Sequence, residues 1–132
     1  IYTTDTGEIY TRMMKSGTWG AWDVIYEDTG WKYWWYADSS NYAGYRKKNG
    51  WVQVASKSTN GKTIASKRDI KYILPEGYRP INYIGCLGSE QDYRGYEMQL
   101  DINPSGVVAL TNLDPANTCS YWEANITFIP DL

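Results

Sequence analysis

The chain has 132 residues and a net charge of −2, so it is the size of one ordinary domain, and its dispersed charges make no basic field for nucleic acid. It has no histidine, which removes Ser-His-Asp and Cys-His nucleophile systems and the usual catalytic zinc sites. No apolar run approaches the roughly 20 residues of a membrane helix and nothing resembles a signal peptide; the missing initiator Met points to a fragment or a processed product.

In chain order, short alternating runs broken by turn residues recur and helical periodicity is hard to find. EIYTRMM at 8–14 leads through KSGT into WGAWDVIY, which reads as a hairpin. A composition boundary near 26–31 separates residues 1–30, the end of a preceding module, from a complete domain over 31–132. WKYWWY at 31–36 forms the next strand, closed by ADSSN. In YRKKNGWVQVAS, Asn49-Gly50 lies between two runs and predicts a two-residue hairpin, because both residue types tolerate positive φ. The basic triplet Arg46-Lys47-Lys48 beside that turn reads as a solvated hairpin edge.

ILPEGYRP at 73–80 is an apolar end followed by a proline-bounded loop, and INYIGCLG at 81–88 is another strand. YEMQLDI turns through Asn103-Pro104-Ser105-Gly106 into VVALTNL. In YWEANITFI the residues Trp122, Ala124, Ile126 and Phe128 share one face, while Glu123, Asn125 and Thr127 share the other, the mark of a half-buried strand. About eight or nine short strands of this kind indicate an all-β antiparallel sandwich or jelly roll. Cys86 and Cys119 lie too far apart for a metal knuckle and read as two buried free thiols.

Thirteen Tyr and seven Trp stand against a single Phe, so most rings carry a polar handle suited to half-wet surfaces. Five of the six residues of WKYWWY are aromatic. Strict alternation puts Trp31, Tyr33 and Trp35 on one face, assigned to the core, and Lys32, Trp34 and Tyr36 on the other. Trp34 and Tyr36 are then covered by packing, stacked on a sugar ring, or left partly bare. Saccharides offer apolar C–H faces to rings and hydroxyls to charged and amide groups.

The loop GSEQDYRG at 88–95 presents carboxylates, a ring and a guanidinium between two glycines. Asp92, Tyr93 and Arg94, with Glu97 at the start of the next strand and Tyr121 near the last one, join Trp34 and Tyr36 as candidate saccharide-binding residues. Glu90, Asp92 and Glu97 permit a glycosidase pair without suggesting one. Asp101-x-Asn103-x-Ser105-Gly106 imitates a calcium loop, but Pro104 and the lack of a twelfth-position Glu favour a β-turn. No cofactor or metal is expected.

LPEGYRP at 74–80, the DINPSGVV hairpin and the terminal ANITFI together resemble the C-terminal head domain of phage tail receptor-binding proteins, the tips of tail fibres or baseplates. GEIYTRMMKSGTWGAW at 7–22 is similar to the endings of pyocin-knob-like tail-fibre modules. The resemblance implies a non-enzymatic, homotrimeric head in the virion that binds a host cell-wall glycan. Its N-terminal part would join other tail or baseplate proteins, with no nucleic acid bound and no membrane insertion. The rivals are a structural trimerisation tip and a wall-binding or glycan-hydrolase module of a phage lysin. The WKYWWY strand is richer in rings than the family's pattern and GSEQDYRGYE is the chain's own, so no binding residue carries over by position.

Overall fold

The structure is a computed structural model that describes residues 1–5, 8–59, 70–90, 98–113 and 119–131. The described residues form thirteen β-strands and no helix. The antiparallel all-β architecture expected from the spacing of the turns is the one the chain adopts.

Strands β1 (Tyr2–Thr3), β2 (Ile9–Thr11) and β5 (Asp23–Tyr26) make a small sheet of three. The ribbon of β3 (Met14–Lys15) and β4 (Thr18–Trp19) is inserted between β2 and β5, turning at Ser16 and Gly17 with φ of 53° and 81°. The sequence KSGT therefore closes a hairpin nested inside a wider one. Arg12 pins the insert, its guanidinium 4.6 and 4.5 Å from the ring centroids of Trp19 and Trp22.

The main sheet contains β6 (Lys32–Asp38), β7 (Asn41–Lys48), β8 (Trp51–Ser58), β9 (Ile70–Ile73), β10 (Ile84–Glu90), β11 (Met98–Ile102), β12 (Val107–Asn112) and β13 (Trp122–Phe128). Its order is β6-β7-β8-β13-β10-β11-β12-β9. Strand β10 makes it a sandwich, because Ile84–Gly88 pairs with β11 whereas Ser89 and Glu90 pair with β13. Gly88 stands where the strand changes partners, and a Cβ there would come within 2.8 Å of the Glu123 carbonyl oxygen.

Two turns follow the sequence directly. Asn49 and Gly50 take φ of 51° and 80°, the pair of left-handed residues a two-residue hairpin needs. At the other hairpin Gly106 donates to the Asn103 carbonyl at 2.8 Å, and the Asn103 side chain accepts from Val107 N–H at 3.0 Å. The calcium-like sequence is thus a turn, with Asp101 buried and bonded by Gln99. No group of metal-ligating side chains occurs among the described residues.

The core lies between the inner faces of β8 and β13 on one side and β11 and β12 on the other. It contains Val52, Val54, Leu74, Met98, Leu100, Ile102, Val108, Leu110, Cys119, Trp122, Ala124 and Phe128. The alternation read in the last strand is realised: Trp122, Ala124 and Phe128 are buried, while Glu123, Asn125 and Thr127 are exposed. Trp122 satisfies its indole N–H inside the core by donating to Ser56 Oγ at 3.0 Å. Both cysteines are free; Cys119 is buried as expected, but Cys86 is only half-buried.

Residues 27–30 lie along the end of β7. Asn49 N–H donates to the Glu27 carbonyl at 2.8 Å and Thr29 N–H to the Lys47 carbonyl at 3.0 Å. Lys47 and Lys48 approach Glu27 and Asp28 at 3.9 and 3.5 Å. The basic triplet is therefore no simple solvated edge, since two of its three charges face carboxylates from the preceding segment.

Candidate functional site

The aromatic strand departs from strict alternation. Tyr33 lies opposite Gly44, Trp35 opposite Ala43 and Tyr36 opposite Tyr42, with a register shift between Tyr33 and Trp35. Two residues, Trp34 and Trp35, thus occupy the space opposite Ala43, a buried position, and the bulge inverts the faces expected around it. Trp34, expected to face outward and bind sugar, packs against the core instead. Its ring lies 4.9 Å from that of Tyr72 at 7° and 4.9 Å from that of Tyr45, and Nε1 donates to the Ile73 carbonyl at 3.1 Å. Trp31 and Tyr33, expected in the core, belong to the outer face.

That outer face carries a continuous array of rings. Trp31 and Tyr33 are stacked at 6.3 Å and 15°, and Tyr33 meets Tyr36 at 4.7 Å. Tyr42 presents its edge to both Trp31 and Tyr33, at 6.4 and 6.1 Å. Tyr33 and Tyr36 are 46% and 53% exposed, so the array is a platform rather than a core. Tyr36 keeps the outward position expected of it. Gly44 makes room for the arrangement: a Cβ there would stand 2.8 Å from Tyr33 Cδ1 and 2.7 Å from the Lys32 carbonyl oxygen.

Strand register extends the platform across the sheet. Arg46 pairs with Gln53 and Gln53 with Thr127, all on the outer face. The Arg46 guanidinium lies 5.1 Å from the Trp31 ring centroid, and its Nε donates to Gln53 Oε1 at 2.9 Å. Gln53 Nε2 in turn donates to Asn125 Oδ1 at 3.1 Å. Beside this ladder lies a cleft of about 370 Å³ lined by Arg46, Lys48, Asn49, Trp51, Gln53 and Thr127.

One row away, Lys57 and Glu123 form an ion pair at 3.5 Å next to Tyr42. Burial, with smaller effects from Glu123 and Tyr33, raises the Tyr42 pKa, so its phenol stays protonated and able to donate. The surface thus combines flat apolar ring faces with guanidinium, amide and hydroxyl groups fixed on paired strands.

The remaining expected site residues stand as follows. Tyr121 is 39% exposed just ahead of β13. Asp92, Tyr93, Arg94 and Glu97 lie outside the described residues. Trp31, Arg46, Trp51 and Gln53 were missed as site residues, although one signal for them exists in the sequence. Residues equidistant from the Asn49-Gly50 turn pair with one another, so Arg46 with Gln53 and Lys48 with Trp51 share a face. Compared with protein-family models and with curated proteins, the chain matches none.

Proposed function

We propose that this chain is a non-catalytic saccharide-binding head of a phage or prophage tail fibre or baseplate, which attaches the virion to a host cell-wall glycan. The observation that carries the reading is the outward ring array of Trp31, Tyr33, Tyr36 and Tyr42, more than half of whose Tyr36 surface is open to solvent. Ring faces of this kind receive the C–H faces of pyranoses, and the adjoining polar ladder supplies groups for hydroxyls. Because the platform is built on strands, ligand binding needs little ordering of the protein. Shallow sites of this sort bind weakly one at a time, and several on one particle supply avidity.

A homotrimer is part of the proposal. It is supported by large apolar side chains left open outside the ring array: Leu87, Ile81, Ile129 and Tyr83 are 65%, 61%, 57% and 54% exposed. The isolated bridge between Pro80 and Pro130 brings Ile81 and Ile129 side by side, and Tyr83 and Leu87 line one shallow depression. Exposed apolar side chains of this size suit a subunit interface. The reading attaches the head to the rest of a fibre through residues 1–30.

The test is adsorption of fluorescently labelled protein to a panel of Gram-positive cells, before and after wall polysaccharide is stripped. Strain-selective binding that disappears with the polysaccharide, and weakens in Tyr33→Ala and Tyr36→Ala, is the expected result. A trimeric protein that binds no strain would instead favour the structural tip.

A further inference from the structure

The cleft beside the ring array has a chemistry of its own. Of its six lining residues, Arg46 and Lys48 are cationic and none is acidic. Arg46 is held from two sides, by the Trp31 ring and by Gln53, which is itself anchored on Asn125. This fixes the guanidinium while using only its Nε. Its two Nη groups have no hydrogen-bond partner among the described residues.

Lys48 is half-committed. Its Nζ stands 3.5 Å from Asp28 Oδ2, while the other oxygen of Asp28 accepts the Gly30 N–H at 2.9 Å. Counting Arg46, Lys48 and Asp28 together, the neighbourhood carries one surplus positive charge. Trp51 is the hydrophobic wall: it is 49% exposed and stacks on no described ring. The Asn49-Gly50 turn holds Trp51 directly opposite Lys48.

We infer that this cleft binds an acidic saccharide, a pyranose carrying a single carboxylate, as in a uronic acid residue. The carboxylate would sit on the two Nη groups of Arg46 in the planar two-bond arrangement that guanidinium offers, with Lys48 adding attraction. The apolar face of the sugar would lie on Trp51, and the Gln53 and Thr127 side chains would meet ring hydroxyls. A single negative charge matches the surplus; a dianion would also face Asp28. The inference rests on the saccharide-binding reading and specifies the ligand class for one part of the same surface.

The experiment is titration of the intact chain with glucuronic acid, glucose, glucose 6-phosphate and inorganic phosphate, followed by the indole and Arg Nε–H signals in 15N NMR spectra. Glucuronic acid is expected to shift the Trp51 and Arg46 signals and to bind about tenfold more tightly than glucose, as charge-assisted bonds are about twice as strong as neutral ones. That preference should shrink as salt is raised. Arg46→Gln should abolish the preference while the remaining spectrum shows the native fold, and Arg46→Lys should restore only part of it.

Equal binding of glucose and glucuronic acid overturns the inference. So does inorganic phosphate binding as well as any sugar, or glucose 6-phosphate binding more tightly than glucuronic acid. The two proposals fail separately. Acidic-sugar binding in the cleft without cell adsorption leaves the cleft standing and removes the adhesin. Adsorption that depends on Tyr33 and Tyr36, with no response at Arg46 or Trp51, removes the cleft alone.

Discussion

The indole of Trp34 lies almost parallel to the phenol ring of Tyr72, at 7° and 4.9 Å, and donates its N–H to the backbone carbonyl of Ile73. One side chain of β6 thereby grips β9, the strand at the far end of the sheet order. Trp34→Ala should lower unfolding free energy by about 3–5 kcal/mol, as for a large ring removed from packing. Trp34→Phe should keep the stacking and lose about 1 kcal/mol with the hydrogen bond. Urea unfolding measures both; an alanine variant as stable as the parent would sink the bridging role.

Trp122 is 1% exposed and bonded to Ser56. Trp122→Ala should cost about 3–5 kcal/mol. Trp122→Phe removes the donor to Ser56 Oγ as well as volume and leaves that hydroxyl only its longer bond to the Tyr42 carbonyl at 3.4 Å, so Ser56→Ala should cost less in the Trp122→Phe background than in the parent. Additive effects in a thermodynamic cycle would show that the bond contributes nothing.

The approach of Tyr33 to Gly44 predicts a different outcome. In Gly44→Ala the new methyl meets Tyr33 Cδ1 and the Lys32 carbonyl oxygen, both nearer than 3 Å. Relief requires the ring or the β6 backbone to move, at about 1–3 kcal/mol. Near-ultraviolet circular dichroism should change and cell adsorption should fall while far-ultraviolet spectra stay native. Unchanged adsorption with a displaced Tyr33 would argue against the ring array as the site.

Asp28 and Asp38 are expected to drive part of the acid sensitivity. The Gly30 N–H, assisted by Lys48, holds the Asp28 pKa below the ordinary carboxylate value, and the Ser40 N–H with Asn41 does the same for Asp38. A carboxyl with a lower pKa when folded stabilises the fold above its unfolded pKa of about 4, and that contribution is lost as pH falls through the folded value. Asp38 is exposed and Asp28 partly so, which keeps the effect small. Stability should therefore decline below about pH 4, and the decline should be shallower in Asp28→Asn and Asp38→Asn. Identical acid profiles would remove the assignment.

The thiols should separate by rate. Burial raises the Cys86 pKa above the ordinary thiol value, outweighing the opposing effect of the Asn125 backbone, and Cys119 is fully enclosed. Iodoacetamide at neutral pH should label Cys86 slowly and faster as pH rises, and should reach Cys119 only on unfolding. Fast labelling of Cys119 in the native protein would contradict its burial.

Much of the fold was legible because local chemistry determines it. Asn49-Gly50 and Asn103 to Gly106 announce their turns through backbone tolerance and side-chain acceptors, and the last strand announces its buried face by alternation. The platform was not legible for a physical reason. A bulge depends on how β6 meets β7, and a single extra residue opposite Ala43 exchanges the roles of Tyr33 and Trp34. Likewise Arg46, Gln53 and Asn125 form one ladder only because β13 joins β8, a pairing between segments about seventy residues apart in the chain. Alternation within one strand carries no record of either event.

The grip of Trp34 on Ile73 has a further consequence for how the molecule behaves in a crowd. A terminal strand with idle carbonyls is a template onto which a stray chain can add itself, the first step toward fibrous aggregates. Here the Ile73 carbonyl is already taken and Tyr72 lies under a ring, so a newcomer to β9 must first dislodge Trp34. Loss of that indole would therefore do more than loosen the fold: it would uncover a surface on which copies can polymerise.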